Sequence, residues 1–272
     1  MLNMKRNIPY LKQARSINPI NPINQDNQDN QDNQEKKYSF TAVSGYWIIN
    51  NKHDNNEFRK WLNNTLQINC PYVFFGNDES LNIIKSIRGD FPTVYINLNI
   101  EDFYTYRYKD VIKTHPQHCP SVELNMIWNE KIFLVQKAAE LNPFNTESFA
   151  WIDAAIFLYR YRKPPPNIFP NVRKFNSLPT DKMICCPTDS YIFNRDMALS
   201  SEYYHYISGN YIIPKSILPT IVEIYKKYLE NYMNKNDWKY TDQVIWTKIY
   251  LNHPDFFHII GKTYGDIWNF LI

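Results

Sequence analysis

The sequence lacks several features that would settle its class at once. It has no apolar run of roughly 18 residues, so no transmembrane helix is predicted. Its N-terminus has no apolar core typical of a signal peptide, which predicts a cytoplasmic protein. Glycine is scarce, with 6 in 272 residues, and neither G-x-G-x-x-G nor a Walker pattern occurs. A glycine-rich phosphate loop is therefore not expected.

Paired cysteines and a strong charge are also missing. The four cysteines form no C-x-x-C pair, and adjacent Cys185 and Cys186 fit no zinc framework, so reduced thiols are predicted. The alternative, a loop zinc site at His115, His118 and Cys119, is interrupted by prolines. The net charge is only +3 and no basic cluster stands out, so nucleic acid is not expected as the partner.

Residues 1–37 read as a tail. They contain INPINPI followed by NQDNQDNQDNQ, a polar repeat with few apolar groups to bury. Such a segment cannot offset the entropy lost on ordering, so disorder is predicted. Residues 38–272 then read as one domain without an obvious linker.

Strand-like and helix-like segments alternate through the first half of that domain. Helices are predicted at 55–66, 78–89 and 121–141, and strands at 38–49, 71–76, 92–98 and 147–153. This alternation indicates an α/β fold with a mostly parallel sheet and crossover helices. The second half is less regular: a proline-rich loop at 164–171, strands at 182–188, 202–214 and 256–260, and helices at 217–231 and 241–254.

The most informative stretch is IWNEKIFLVQKAAELNPFNTESFAWIDAAI, residues 127–156. A helix-period segment meets an Asn-Pro break, and a short apolar strand then ends on Asp153. A carboxylate at the tip of a buried strand is costly unless it is compensated, and strand tips are where α/β proteins bind ligands. Asp153 is therefore the first candidate site residue, although it could simply cap a loop.

This stretch resembles the HtrL/YibB (WlaTC/HtrL) glycosyltransferase-like family. The family pattern I-W-x-x-K, N-P-F-x-T and F-x-W-[IV]-D-x-G-I is matched by Ile127, Trp128, Lys131, Asn142, Pro143, Phe144, Thr146, Phe149, Trp151, Ile152, Asp153 and Ile156. TAVSGYW and TDQVIWTKIYLNHPDFF match more weakly. Ala155 stands where the family pattern has glycine, which crowds the backbone beyond Asp153.

The resemblance implies a GT-A-like fold, a Rossmann-like, mostly parallel sheet flanked by helices with an irregular acceptor-side second half. It also implies a nucleotide-sugar donor and a divalent cation, Mn²⁺ or Mg²⁺, on Asp153. No D-x-D is present, so a second ligand must come from elsewhere; His258 is a candidate, or merely the edge of an apolar strand. The residues expected to bind the donor are Ser44, Gly45, Tyr46, Trp128, Lys131, Trp151 and Asp153.

Lys131 is expected to face the diphosphate, where a cation stabilises the leaving group. Trp128 covers the base or sugar, or packs in the core. On the acceptor side, Asp242 orients or deprotonates a hydroxyl, or is only a helix N-cap. Gly209, Asn210 and Gln243 complete that side.

Together these features predict transfer of a sugar from a nucleotide-sugar donor to a hydroxyl of a glycan or protein. One alternative is a non-catalytic glycan- or nucleotide-binding domain on the same fold. Another is a structural protein tethered by its tail. A third is a nucleotidyltransferase.

Overall fold

A seven-stranded sheet organises the protein. The computed structural model describes residues 38–201, 204–234 and 241–272. The strands are β1 (Thr41–Gly45), β2 (Tyr72–Gly76), β3 (Thr93–Asn97), β4 (Ser148–Trp151), β5 (Met183–Pro187), β6 (Ile207–Pro214) and β7 (Phe257–Ile259). Their order is β3-β2-β1-β4-β6-β5-β7. Only β6 runs antiparallel to its neighbours, β4 and β5, among these strands.

Helices connect the strands and cover both faces of the sheet. Their bounds are α1 (Asn55–Thr65), α2 (Asp78–Arg88), α3 (Val122–Leu141), α4 (Val172–Asn176), α5 (Arg195–Ser200), α6 (Leu218–Met233), α7 (Asp242–Asn252) and α8 (Asp266–Leu271). Side-chain caps begin several of them: the Asp54 carboxylate accepts backbone N–H bonds at the start of α1, and Ser121 does so for α3.

The sheet separates two apolar cores because alternate strand residues point to opposite faces. Val43 and Trp151 face a core completed by α3, α6 and α7. Ala42 and Phe74 face a second core with α1, α2 and α8. Strand β2 is buried along its whole length, which explains its unbroken apolar sequence YVFFG.

The order of the strands reverses between β1 and β4. From β1 the chain adds β2 and then β3 on one side, and α3 returns it to place β4 on the other side of β1. The carboxyl ends of β1 and β4 therefore flank the crevice where open α/β sheets bind ligands. Asp153 follows β4 at this crevice.

The predicted α/β class, with a mostly parallel Rossmann-like sheet and a less regular second half, is confirmed. The first strand is shorter than predicted, because the chain leaves the sheet after Gly45. The strand predicted at 202–214 begins at Ile207, and residues 202 and 203 lie outside the described ranges. The short helices α4, α5 and α8 were not predicted, since one or two turns leave little periodicity.

Three further predictions concern the cysteines, membrane-spanning helices and the N-terminal tail. The four cysteines are free and buried. Within the described ranges, no helix is long and apolar enough to cross a membrane. The predicted disordered tail at 1–37 falls outside the described residues, and the domain boundary after it stays a prediction.

Candidate active site

Lys131 lies at the base of the crevice. Helix α3 packs against β1 and β4 and buries all but 7% of the Lys131 side chain. Its ammonium lies 3.0 Å from Oδ1 of Asp153 and 2.9 Å from Oδ2 of Asp242. The ammonium also donates to the backbone carbonyl of Gly209 at 3.4 Å. A buried cation requires such partners, and here it joins two carboxylates that are distant in sequence.

Asp153 is held in place from three directions. The indole N–H of Trp151 donates to its Oδ1 at 2.8 Å. The side-chain amide of Asn210 forms two bonds, donating to Asp153 Oδ2 and accepting from the Asp153 backbone N–H, each at 2.9 Å. Burial alone would raise the pKa of Asp153, but Lys131 and these N–H donors hold it below its usual value. Asp153 is therefore an ionised, rigidly oriented carboxylate.

Asp242 is the first residue of α7, and its side chain turns inward. Thr241 occupies the N-cap position without a side-chain cap bond. The carboxylate of Asp242 is buried, with 4% exposure, and pairs with Lys131. Burial raises its pKa above the usual value, although the nearby ammonium opposes that shift. The structure therefore excludes the alternative in which Asp242 serves only as the N-cap of α7.

Gly209 allows this ion pair to form. A Cβ added to Gly209 would lie 2.6 Å from Oδ2 of Asp242 and 2.8 Å from the ammonium of Lys131. Strand β6 can therefore pass beside the charged groups only with a glycine at this position.

Gly209→Ala is expected to push the Lys131–Asp242 pair apart and to lower the free energy of unfolding by about 1–3 kcal/mol, as overpacking does. It should also weaken ligand binding in the crevice. Gly89→Ala is the matched control, because its added Cβ meets nothing within 4 Å but its φ is +51°. That control should lower the free energy of unfolding and leave ligand affinity unchanged. Equal ligand affinity in the two variants, measured by calorimetry, would contradict the role assigned to Gly209.

Two cavities meet at Asp153 and Lys131. The larger, about 620 Å³, is also lined by Asp242, Gln243 and Tyr264. The smaller, about 170 Å³, extends instead toward the loop after β1. Its lining includes Gly45, Tyr46, His53, Phe58 and Trp151. The ion-paired centre therefore has two distinct approaches, one from the β1 side and one from the α7 side.

Two cations that the sequence did not single out line both cavities. Lys52 places its ammonium 5.3 Å from the ring centre of Trp128. Arg160 places its guanidinium 4.1 Å from the ring centre of Trp61. Desolvation lowers the pKa of Lys52, and the charge of Arg160 adds to this effect. The crevice therefore carries positive charge opposite its two carboxylates.

Most sequence-predicted residues come together here. Those lining one or both cavities are Gly45, Tyr46, Trp128, Lys131, Trp151, Asp153, Asn210, Asp242 and Gln243. The ring of Tyr46 stacks on Phe58, with centroids 5.7 Å apart. Ser44 is buried within β1 and lines neither cavity. Besides Lys52 and Arg160, the sequence analysis missed His205 and Tyr264, which line the larger cavity. His118 also lines this cavity, although the sequence suggested it only for a loop zinc site.

His258 is not brought to Asp153. It lies on β7, in register with Ile184 of β5. Strands β5 and β6 lie between β7 and β4, a separation of three strand spacings or roughly 14 Å. His258 lines neither cavity. The proposed second metal ligand is therefore on a distant part of the sheet, because the sequence does not reveal strand order.

The side chains of the crevice form no ready-made divalent-metal site within the described residues. Among the described residues, no group of three His, Cys, Asp or Glu side chains is placed to share a metal ion, the His115–Cys119 loop included. Between Asp153 and Asp242, the position for a cation is taken by the ammonium of Lys131. The crevice is a lysine-bridged carboxylate pair.

The fold and the crevice define the class as an α/β protein with a polar, ion-paired crevice at the switch point of its sheet. The sequence profile of the family HtrL_YibB, described as a bacterial protein of unknown function, matches residues 81–271. The chain belongs to this family, as its sequence motifs indicated. No curated protein matches the chain.

Solved structures with similar folds include several transferases. The galactosyltransferase LgtC, in complex with donor and acceptor sugar analogs, has a TM-score of 0.47 at 10% identity over 82% of this chain and 73% of its own. A mannosyltransferase from Pyrobaculum calidifontis, in complex with GDP-Man and Mn²⁺, has a TM-score of 0.37 at 11% identity, covering 69% and 48%.

A 4-diphosphocytidyl-2C-methyl-D-erythritol synthase from Anaerococcus prevotii has a TM-score of 0.40 at 10% identity, covering 85% of this chain and 92% of its own. At such low identities and TM-scores, the function of this chain has to be argued from its own side chains.

Proposed function

We propose that the protein is a glycosyltransferase that moves a sugar from a nucleotide-sugar donor to a hydroxyl of a glycan or protein acceptor. The observation that carries this proposal is the meeting of two cavities at the Asp153–Lys131–Asp242 centre. A transferase needs separate approaches for donor and acceptor that converge on one set of reacting groups. The family resemblance and the position at the switch point are consistent with it.

The donor is assigned to the β1 side. Gly45 and Tyr46, which the family resemblance implies as donor-binding residues, line only the smaller cavity. Nucleotide sugars also carry a diphosphate, and Lys52 and Arg160, which line both cavities, supply cations where the two cavities meet. Both stabilise the negative charge that grows on the diphosphate as the bond to the sugar breaks. Trp128, half-buried beside Lys52, offers an aromatic face to the base or sugar.

The acceptor is assigned to the α7 side, with Asp242 as the group that takes the proton of the attacking hydroxyl. Burial raises the pKa of Asp242 above its usual value, and a higher pKa makes a carboxylate a stronger base. Gln243 donates to the hydroxyl of Tyr264 beside it, so both side chains are held at the wall of the larger cavity. Lys131 keeps Asp153 and Asp242 at fixed positions through the reaction.

The divalent cation implied by the resemblance stays a prediction. No step above depends on it, since Lys52 and Arg160 are assigned to neutralise the charge of the diphosphate. Binding measurements with and without Mn²⁺ test it directly.

Nucleotide binding is the first expected result. One nucleoside diphosphate, at about 100 times its Kd, should stabilise the wild-type protein by about 2.7 kcal/mol in thermal denaturation. Lys52→Ala and Arg160→Ala should each weaken binding by about tenfold or more, because each removes a charge-assisted contact to phosphate. Lys227→Ala, an exposed lysine of α6, is the control and should bind like wild type.

Turnover separates a transferase from a binding protein on the same fold. The matching nucleotide sugar should be cleaved, releasing the nucleoside diphosphate. Asp242→Asn should lower that rate by about 10²–10⁴-fold while changing nucleotide affinity little. A wild-type protein that binds the nucleotide sugar without cleaving it, with acceptor glycans present, would support the non-catalytic alternative. Absence of binding by any nucleotide would contradict the proposal altogether.

A further inference from the structure

The segment after Asp153 is unusually basic. Between Asp153 and Asp181 the sequence has no acidic residue, and it has five basic ones, Arg160, Arg162, Lys163, Arg173 and Lys174. The whole chain has a net charge of only +3. This segment, which includes the proline-rich loop and α4, therefore carries five positive charges that no acidic residue within it offsets.

Large apolar side chains on the same segment are exposed. The exposed fractions are 63% for Phe157, 82% for Tyr161, 68% for Ile168 and 56% for Val172. Four such side chains within one short segment differ from the isolated exposed apolar residues of an ordinary surface. They alternate along the chain with the basic residues.

The end of α8 joins this segment to form one surface. The guanidinium of Arg162 donates to Asn269 Oδ1 at 3.0 Å, and the Asn171 backbone N–H donates to the Leu271 carbonyl at 2.8 Å. Ile168 and Ile272 line one small cleft of about 100 Å³. Phe270 and Ile272 are themselves partly exposed. We call residues 157–174 with 269–272 the basic-apolar surface.

This surface adjoins the mouth of the proposed active site. Phe157 and Arg160 belong to the basic-apolar surface and also line the larger cavity. A partner bound there would therefore lie beside the crevice opening.

The combination of exposed basic and apolar side chains indicates which kind of partner this surface binds. Exposed cations favour a partner with negative charge, and each Lys or Arg near an anionic bilayer strengthens binding about fivefold. Aliphatic Ile168 and Val172 add nothing to phosphate recognition by a nucleic-acid binder, but they gain free energy when they enter the acyl boundary of a bilayer. Arg and Lys side chains can meanwhile extend to the headgroups.

We propose that the basic-apolar surface docks the protein peripherally onto an anionic lipid membrane. The inference rests on charge and exposure alone and does not depend on the proposed enzymatic activity. If both hold, the crevice opens beside the bilayer, and acceptor groups carried by lipids would be within reach.

Vesicle co-sedimentation of the full chain tests the proposal. The protein should bind vesicles of phosphatidylcholine with phosphatidylglycerol at least tenfold more tightly than vesicles of phosphatidylcholine alone, and added salt should weaken the binding. Lys163→Gln/Arg173→Gln/Lys174→Gln should weaken it by about 100-fold, as the loss of three cations predicts. Lys109→Gln/Lys215→Gln/Lys227→Gln, which removes three exposed cations elsewhere, should bind more tightly than that variant by at least tenfold.

A second variant separates a membrane from other anionic partners. Ile168→Ser/Val172→Ser should weaken vesicle binding by about tenfold and leave binding to a heparin column unchanged. Both variants change exposed residues, and thermal denaturation checks that they fold. Equal binding to neutral and anionic vesicles, no binding to either, or unchanged affinity of the Ile168→Ser/Val172→Ser variant would overturn the proposal. The last result, with heparin binding intact, would indicate a soluble polyanion instead.

Discussion

Lys131→Met is expected to lower the free energy of unfolding by about 3–5 kcal/mol at pH 7. The substitution removes the ammonium that lies within 3.0 Å of both Asp153 and Asp242. Asp242 is then left as a buried carboxylate without its counter-charge, and such a group costs far more than an exposed one. Urea denaturation followed by circular dichroism gives the change directly.

The dependence of this loss on pH has a definite sign. Without Lys131, the pKa of each carboxyl in the folded protein rises above the value of about 3.9 in the unfolded chain. Between those two pKa values the folded state holds more protons than the unfolded state, so the stability of the variant increases as pH falls. In the wild type, the raised pKa of Asp242 acts in the same direction, but the ammonium of Lys131 opposes that rise, so the effect is smaller than in the variant. The lowered pKa of Asp153 contributes stability that is lost only as pH falls below about 3.9. The deficit should therefore shrink from pH about 7.5 to pH about 5.

Two further variants test the cause. Lys227→Met replaces an exposed lysine on α6 and should change stability by no more than about 0.5 kcal/mol. Adding Asp242→Asn to Lys131→Met should recover part of the lost stability, because one unpaired buried charge is removed. A Lys131→Met deficit that equals the control, or that is the same at both pH values, would contradict charge compensation by Lys131.

Arg88→Met is expected to lower the free energy of unfolding by about 3 kcal/mol. Arg88 is the last residue of α2, and its buried guanidinium donates to the carbonyls of Leu66, Ile68 and Cys70 at 2.8–2.9 Å. Its Nε also donates to Thr93 Oγ1 at 2.9 Å. The substitution leaves buried carbonyl oxygens without these donors, and this outweighs the gain from no longer burying a charge.

The geometry of the guanidinium makes a second comparison informative. Arg88→Lys keeps the charge but has a single donor centre, so it cannot reach all of these carbonyls and should be nearly as destabilising. Arg59→Met removes an exposed arginine of α1 and should have little effect. Equal unfolding midpoints for Arg88→Met and Arg59→Met in urea would show that these hydrogen bonds add nothing to stability.

Arg88 also illustrates what sequence patterns leave out. A basic residue in the last turn of a helix is ordinarily explained by the helix dipole and solvent exposure. Its burial in this protein follows from the loops at 66–70 and 91–93, whose carbonyls converge on the end of α2. Convergence of that kind depends on how separate segments pack. Periodicity within the helix contains no information about it.

Some active-site residues can likewise be identified from the sequence, and others only from the structure. Asp153 is identifiable because an acid after a short apolar strand is informative by itself, and Lys131 and Trp151 are identifiable from the family motif around it. Asp242 stays between a base and an N-cap at the level of sequence, because both roles place an acid at the start of a helix. The burial of its carboxylate against Lys131 removes the N-cap role, and the role as a base stays a proposal. No sequence pattern marks Lys52 and Arg160 as site residues, because they are far apart in the sequence and only the fold brings them to the same cavity.

Local sequence was sufficient to establish the α/β class, the alternation of its first half, the family and the central acid. Those properties follow from local periodicity, from breaks such as Asn142-Pro143 and from short motifs, all of which act over neighbouring residues. Which charges pair, and which do not, emerged only from the folded chain. Folding placed His258 on an edge strand and Lys131 between two carboxylates, because strand order and helix packing, rather than distance along the chain, set the spacing of side chains.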